Sequence, residues 1–374
     1  MTSSPTAGTL VSSVPYAAPA AIEGTASLLL HTMPSLHGGE THASALLFVP
    51  HGTPPADGWP VVVWVHGTTS VGHKLAAPSL SPDLDGGLTA DGFPSGYAEL
   101  IAALVAAGYA VVAPDLEGLG EAASVPYPYY NAASTARSVI AGLQAAHQTQ
   151  TPLSAHWALV GHSDGGRGAL SVEPYASHVP DLSLRGVVAY APFTSMRESV
   201  AALGTLALHD PANATNYAAV QNNLVLMMAL ALRAQRPDAD LEPLLGRDLQ
   251  AMIPAYQSQG IFKSVVGLMQ HVGTVKPENF AGFRPDWHSD PNMQAFLTAN
   301  DPAEMPDLVL NIPTLIVQGA KDEFVLEPLT TALATRLKDA GSAVTYQVYP
   351  DATHGSIVQE ATPDVLKFLD SRLH

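Results

Sequence analysis

Gly161-His162-Ser163-Asp164-Gly165 matches G-x-S-x-G, a spacing that lets a serine project from a turn too tight for side chains on either flank. Such a turn also aims the next backbone N–H at the negative charge that develops on an attacked carbonyl oxygen. The pentapeptide alone is a modest signal. With Gly at 30 of 374 residues, a shuffled chain of this composition would contain it about 0.2 times. Context supplies the specificity. An apolar run, Trp157–Val160, leads straight into the motif, and Gly165-Gly166-Arg167-Gly168-Ala169-Leu170 opens a helical stretch directly after it. A serine hydroxyl is almost fully protonated near neutrality, so the nucleophile Ser163 needs a base.

The base and its orienting acid are expected later in the chain, at the ends of later strands. Asp322 follows the run Thr314–Gln318 through Gly319-Ala320-Lys321. His354 follows Val344–Tyr349 through Pro350-Asp351-Ala352-Thr353 and is backed by Gly355. Of 15 histidines, only His354 combines this order, this position and a following Gly. Glu323, Asp351 and Asp301 stand as alternative acids. For the oxyanion, His66-Gly67-Thr68-Thr69 ends the early run Val61–Val65. Its loop N–H, at Thr68 in preference to Thr69, can join the N–H of Asp164, and one such donor is typically worth about 3 kcal/mol. The carboxylate of Asp164 must then point into solvent or find a cation. Arg167, one turn on, is the nearest by sequence.

The elements that must hold these residues follow from periodicity. Ala45–Val49, Val61–Val65, Ala110–Ala113, Trp157–Val160, Gly186–Tyr190, Thr314–Gln318 and Val344–Tyr349 are short apolar runs of strand character. They alternate with helical patterns over Tyr97–Ala107, Ala132–His147, Gly165–Tyr175, Glu327–Lys338 and from Thr362. Strand–helix alternation predicts a mostly parallel sheet flanked by helices. It breaks between Ser195 and Pro306, where Tyr217–Ala234 and Leu241–Met252 read as helices. The expected division is an N-terminal arm over 1–40, an α/β core over 41–194 and 307–374, and a mostly helical cap over 195–306.

The constellation resembles the α/β-hydrolase superfamily. HGTTSVGHKLAAPSL (66–80), GYAVVAPDLEGLG (108–120), ARSVI (136–140) and GHSDGG (161–166) resemble the secretory lipases of the Candida lipase A type. The resemblance runs from about Pro60 to the C-terminus and is most specific in its first half. It implies carboxylic ester hydrolysis without a cofactor, with the insert serving as a cap over an acyl tunnel. Ser163, Asp322 and His354 are its implied triad. Acylglycerols and other hydrophobic esters, polyesters included, are the implied substrates, with peptide or amide cleavage the alternative. The chain departs from that pattern at Asp164, where Gln or Gly is more usual, at Leu116, where Tyr is frequent, and in lacking Cys.

Composition narrows the partners. The chain has 33 acidic residues against 16 Lys plus Arg, a net charge of −17, which argues against nucleic acid and against docking on an anionic membrane. Cys is 0, excluding disulfides, thiolate metal sites and a cysteine nucleophile, while leaving the compartment open. Met1–Val14 has neither a basic residue nor a continuous apolar stretch, so it does not read as a signal peptide. The apolar run Leu224–Leu232 is less than half a membrane span, and the chain reads as soluble. That run is either cap core or an acyl-facing surface. Asp83-Leu84-Asp85-Gly86 has part of a calcium-loop spacing but lacks the later acids. His37 and His42 lack zinc-site spacing, and no metal is expected. Tyr127, Tyr129 and Tyr130, interleaved with Pro126 and Pro128, read as a site entrance or a rigid surface loop.

Overall fold

A computed structural model describes residues 8–374; the first seven residues of the expected arm lie outside the described residues. The strands are β1 (Leu10–Pro15), β2 (Gly24–Pro34), β3 (Glu40–Pro50), β4 (Trp59–Val65), β5 (Ala110–Pro114), β6 (Leu153–His162), β7 (Ser183–Tyr190), β8 (Thr314–Gly319) and β9 (Val344–Tyr349). The helices are α1 (Tyr97–Ala106), α2 (Ala132–His147), α3 (Asp164–Ala169), α4 (Met196–His209), α5 (Ala214–Gln235), α6 (Arg247–Ser258), α7 (Ile261–Val275), α8 (Pro291–Asn300), α9 (Glu327–Asp339), α10 (Ile357–Glu360) and α11 (Thr362–Leu373).

One nine-stranded sheet runs in the order β1-β2-β3-β5-β4-β6-β7-β8-β9. From β5 to β9 every pairing is parallel. The central strands β4, β5 and β8 are buried along their whole length, which explains why their sequences read as unbroken apolar runs without alternation. Because these strands are parallel, their C-terminal ends share one edge. The loops carrying His66, Ser163, Asp322 and His354 all leave from it.

The sheet extends further toward the N-terminus than the sequence suggests. Residues 10–15 and 24–34, expected in an arm outside the core, are two strands: β2 pairs antiparallel with β3 along its whole length, and β1 pairs antiparallel with β2. The cause of the mismatch is chemical. β1 (LVSSVP) is an exposed edge, and β2 (GTASLLLHTMP) buries Leu29, His31 and Met33 among Ser, Thr and Ala positions that blur the period-2 signal.

Two helices also differ from their expected bounds. The stretch after the serine is α3 followed by a 3-10 turn over Glu173–His178, because Pro174 cannot supply the N–H that a continuous helix needs. Helix α6 starts at Arg247 rather than Leu241. Upstream of it, Gly246 N donates to Gly282 O at 2.6 Å and Leu245 forms a bridge with Phe283. The chain between β7 and β8 is a helical cap. Helix α7 buries Ile261, Val265, Leu268 and Val272 at i, i+4, i+7 and i+11 and packs on α5, which also packs on α4. A single apolar core runs from sheet residues such as Val65 into cap residues such as Leu226, Met228 and Leu268. Among the described residues no helix is long and apolar enough to cross a membrane.

Leu29 is 0% exposed. Leu29→Ala is expected to lower unfolding free energy by about 2–5 kcal/mol in a urea titration. A residue on an unattached arm would give no change.

Candidate active site

Strand β6 ends at His162, the chain turns at Ser163, and α3 begins at Asp164. Ser163 sits at φ 56°, ψ −119°, a conformation that costs a non-glycine residue about 1–3 kcal/mol and persists only where its surroundings impose it. Here Ser163 N donates to Tyr190 O at 2.9 Å, and Ser163 O accepts from Arg167 N and Phe193 N, both at 2.9 Å. The close crossing also dictates the flanking glycines. A Cβ at Gly161 would overlap the Gly165 carbonyl oxygen, and one at Gly165 would overlap the carbonyl oxygen of Val65 in β4.

The structure brings Ser163, His354 and Asp322 into one hydrogen-bonded run. His354 Nε2 lies 3.0 Å from Ser163 Oγ, and His354 Nδ1 lies 2.8 Å from Asp322 Oδ2. All three are buried. Asp322 is held by its own loop: Oδ1 accepts from the N–H of Phe324 at 2.9 Å and of Val325 at 2.7 Å, and Oδ2 also accepts from Gln318 Nε2 at 3.0 Å. Burial alone would lower the pKa of His354. The charge and hydrogen bond of Asp322, with the charge of Glu323, outweigh it and hold the imidazole above the ordinary 6.5. Nδ1 therefore donates to the carboxylate, leaving Nε2 free to take the serine proton.

The other acids have separate work. Glu323 Oε2 accepts from the His354 backbone N–H at 3.3 Å. Asp351 pairs with Lys321 at the surface, 2.6 Å apart. Asp301 accepts from the N–H groups of Ser195 and Met196 at the start of α4.

His162 was not singled out by its sequence position, yet it links both halves of the site. Its Nε2 lies 2.9 Å from the His354 carbonyl oxygen and its Nδ1 lies 2.8 Å from Tyr97 Oη, which accepts from Gly67 N–H at 3.1 Å. A carbonyl can only accept, so Nε2 carries the proton. Nδ1 must then accept from the Tyr97 hydroxyl. Burial and the nearby charge of His354 push the pKa of His162 well below 6.5, which keeps this neutral tautomer in place. The chain of bonds ties the loop before Thr68 to the backbone of His354.

The N–H groups of Thr68 and Asp164 have no acceptor among the described residues, and Thr68 and Ser163 line the same cavity. Thr68 Oγ1 is engaged with Tyr129 Oη at 3.0 Å. Thr69 turns toward the cap, where its carbonyl accepts from Ile261 N–H at 2.8 Å. The Asp164 carboxylate finds Arg167, with Nε to Oδ1 at 2.6 Å and both side chains buried. Arg167 Nη1 donates to Asn300 O at 3.1 Å, and the guanidinium lies 4.3 Å above the Tyr130 ring. Tyr127, Tyr129 and Tyr130 are therefore neither an entrance nor a surface loop. They are buried, with the Tyr130 ring against the Arg167 guanidinium, Tyr129 Oη on Thr68 Oγ1 and Tyr130 Oη donating to the Phe193 carbonyl oxygen at 3.0 Å.

Over the triad lies a cavity of ≈ 90 Å³, walled by Phe93, Phe193 and Phe324 from the core and by Val220, Leu224 and Met227 of α5 together with the start of α7. The run Leu224–Leu232 is buried in the apolar core, and two of its residues, Leu224 and Met227, also line the cavity. Asp85 is a loop organiser, accepting from Ser81 Oγ, Ser95 Oγ and the N–H groups of Gly87 and Thr89. Among the described residues no group of three or more His, Asp or Glu side chains is gathered to hold a metal ion.

A mixed sheet with a serine on a strained strand-to-helix turn, an acid and a histidine from later strand ends, and a helical cap define an α/β hydrolase. The family model described as "Alpha/beta hydrolase family" matches residues 62–366, and the chain belongs to that family. Among solved structures, the ligand-bound form of the rice cell wall degrading esterase LipA from Xanthomonas oryzae is similar at 19% identity and a TM-score of 0.69, covering 98% of each chain. Candida antarctica lipase A in its closed state is similar at 15% identity and a TM-score of 0.68, over 97% of this chain and 81% of the other. No curated protein sequence matches the chain.

In an NMR titration the imidazole of His354 is expected to titrate above pH 6.5, while His162 stays neutral with its proton on Nε2. A His162 that gains charge in the same step as His354 would contradict the hydrogen-bond directions given above.

Proposed function

We propose that this chain is a serine carboxylic ester hydrolase of the lipase and esterase type, acting on hydrophobic acyl esters. The observation that carries the reading is the continuous run Ser163 Oγ···His354 Nε2, His354 Nδ1···Asp322 Oδ2 at the floor of an apolar cavity. In the proposed cycle Ser163 Oγ attacks the ester carbonyl carbon as its proton passes to His354 Nε2. Asp322 fixes the tautomer and steadies the imidazolium. The backbone N–H groups of Thr68 and Asp164 receive the oxyanion. The tetrahedral adduct collapses as His354 gives its proton to the departing alcohol oxygen, leaving an acyl-enzyme. Water then enters, loses a proton to His354 and releases the acid, returning the proton to Ser163.

The apolar cavity wall favours aliphatic or aromatic acyl groups over sugars and charged peptides. The motifs at 66–80, 108–120 and 161–166 support a closer affinity to secretory lipases of the Candida lipase A type, as does the fold shared with the lipase from Candida antarctica. The rice cell wall degrading esterase has the same fold and is consistent with ester chemistry. No nucleic acid, cofactor or stable membrane insertion enters this reading.

Ser163→Ala is expected to lower turnover of p-nitrophenyl acyl esters by at least about 10³-fold with the fold retained by circular dichroism. Undiminished turnover would end the assignment, and faster cleavage of amide than of ester analogues by the wild type would move it to the peptidases. Only neutral His354 can accept the serine proton, so kcat/KM is expected to rise with pH and level off above the pKa of that group. The inflection should lie above 6.5, because Asp322 and Glu323 favour the charged form over the effect of burial. A profile flat from pH 5 to 8 would remove His354 as the base.

A further inference from the structure

Helix α5 carries two adjacent asparagines, and the fold treats them differently. Asn222 is spent within the protein: Nδ2 donates to Ala218 O at 2.8 Å and Oδ1 accepts from Phe283 N–H at 2.9 Å. Asn223 is spent at one end only. Its Oδ1 accepts from the hydroxyl of Tyr256, a fully buried side chain on α6, at 2.7 Å. With the phenol donating to Oδ1, the other end of the amide is the amino group. The amino group Nδ2 then has no acceptor among the described residues, although Asn223 is 6% exposed and lines the cavity above Ser163.

Among the described residues no other side chain on the cavity wall is in this position. From the cap, the remaining lining residues are Val220, Leu224, Met227, Ile261, Phe262 and Val265, all apolar. On the core side, Thr68 bonds Tyr129, Tyr97 bonds His162, His162 bonds the His354 carbonyl and Ser163 bonds His354. Beside the backbone N–H groups next to Ser163, Asn223 is therefore the side-chain donor left without an acceptor among the described lining residues. A plain alkyl chain packed there would strip water from Nδ2 and return nothing, whereas a substrate oxygen would replace the lost water.

Resting on the ester-hydrolase reading, we infer that Asn223 is a specificity-determining residue whose Nδ2 donates to a second acceptor oxygen of the substrate. The preferred substrate class is an ester whose limb under the cap bears a further carbonyl, as successive units of an aliphatic oligoester do, in place of a simple fatty acyl chain. Tyr256 acts through Asn223 as the positioning residue.

The test compares kcat/KM for p-nitrophenyl esters of ω-methyl dicarboxylates of increasing length with alkanoates of the same length. A matching series of butyrates with ester-bearing and plain alkyl alcohols reports the alcohol side. The wild type is expected to favour the second carbonyl by about fivefold at one chain length, in whichever series places that limb under the cap. Asn223→Leu is expected to reverse the preference, the plain alkanoate becoming the better substrate of each pair. Asn223→Asp keeps an acceptor for Tyr256 and removes the donor, so it covers the case in which the leucine variant fails to fold, and it too should lose the preference. No carbonyl preference at any length in either series would overturn the inference, as would an unchanged preference in Asn223→Asp, since Asn223 would then serve Tyr256 alone. Either result would leave the Ser163 assignment standing, which falls only if Ser163→Ala stays active.

Discussion

The backbone crossing at Ser163 is the constraint on which the rest of the molecule depends. For the hydroxyl to stand clear of the sheet, β6 must reverse into α3 within one residue, and that residue takes a φ of 56° that its side chain disfavours. The turn is over-determined. Its N–H is bonded to β7, its carbonyl serves two donors, and Gly161 and Gly165 let the strand, helix and β4 approach to contact. Helix α3 therefore starts immediately after the nucleophile, so the Asp164 N–H is left pointing outward without an intrahelical partner. One local strain both turns the hydroxyl toward the cavity and leaves a backbone N–H beside it without a partner among the described residues.

Around that turn, polar groups are joined in chains, with Arg167 Nη2 buried and without a partner among the described residues. The bonds Gly67–Tyr97–His162–His354 connect the loop before Thr68 to the backbone of His354. They work only because deep burial keeps His162 neutral, so that one ring nitrogen accepts while the other donates. A second chain runs behind the site, from Asp164 to Arg167 to Tyr130 and the Asn300 carbonyl. Two charges out of water are costly unless each is closely paired. Here the pairing also draws the Asp164 carboxylate onto its own helix, away from where the negative charge of a tetrahedral adduct would develop.

The cap completes the chamber without contributing to the triad. Helices α5 and α7 share one apolar core with the sheet, so the cavity is built by continuing the packing of the domain rather than by a loosely attached flap. Asn223 is the exception to that apolar wall. Its orientation comes from Tyr256, a residue on a different helix and far along the chain.

Much of the centre of this protein is fixed by short-range sequence features. Buried parallel strands must be apolar throughout, and so β4, β5, β6 and β8 stand out of the chain directly. The glycine spacing about Ser163 is a steric requirement written into five residues. The chain order of Asp322 and His354 follows from which strands end at the same edge. Arg167 is one helical turn from Asp164 and so could be named as its partner. The edge strand β1 and its neighbour β2 were hidden, since half-exposed antiparallel strands tolerate Ser, Thr and His and need no apolar run. The burial of Tyr127–Tyr130, the protonation of His162 and the difference between Asn222 and Asn223 were also invisible. Each depends on partners 30 or more residues away in the chain, such as Tyr97 for His162 and Tyr256 for Asn223. Hydrogen-bond direction is a property of a pair. Sequence determines which groups are present and how they are spaced locally; only the tertiary fold decides which of them meet, and therefore which donor is left free for a ligand.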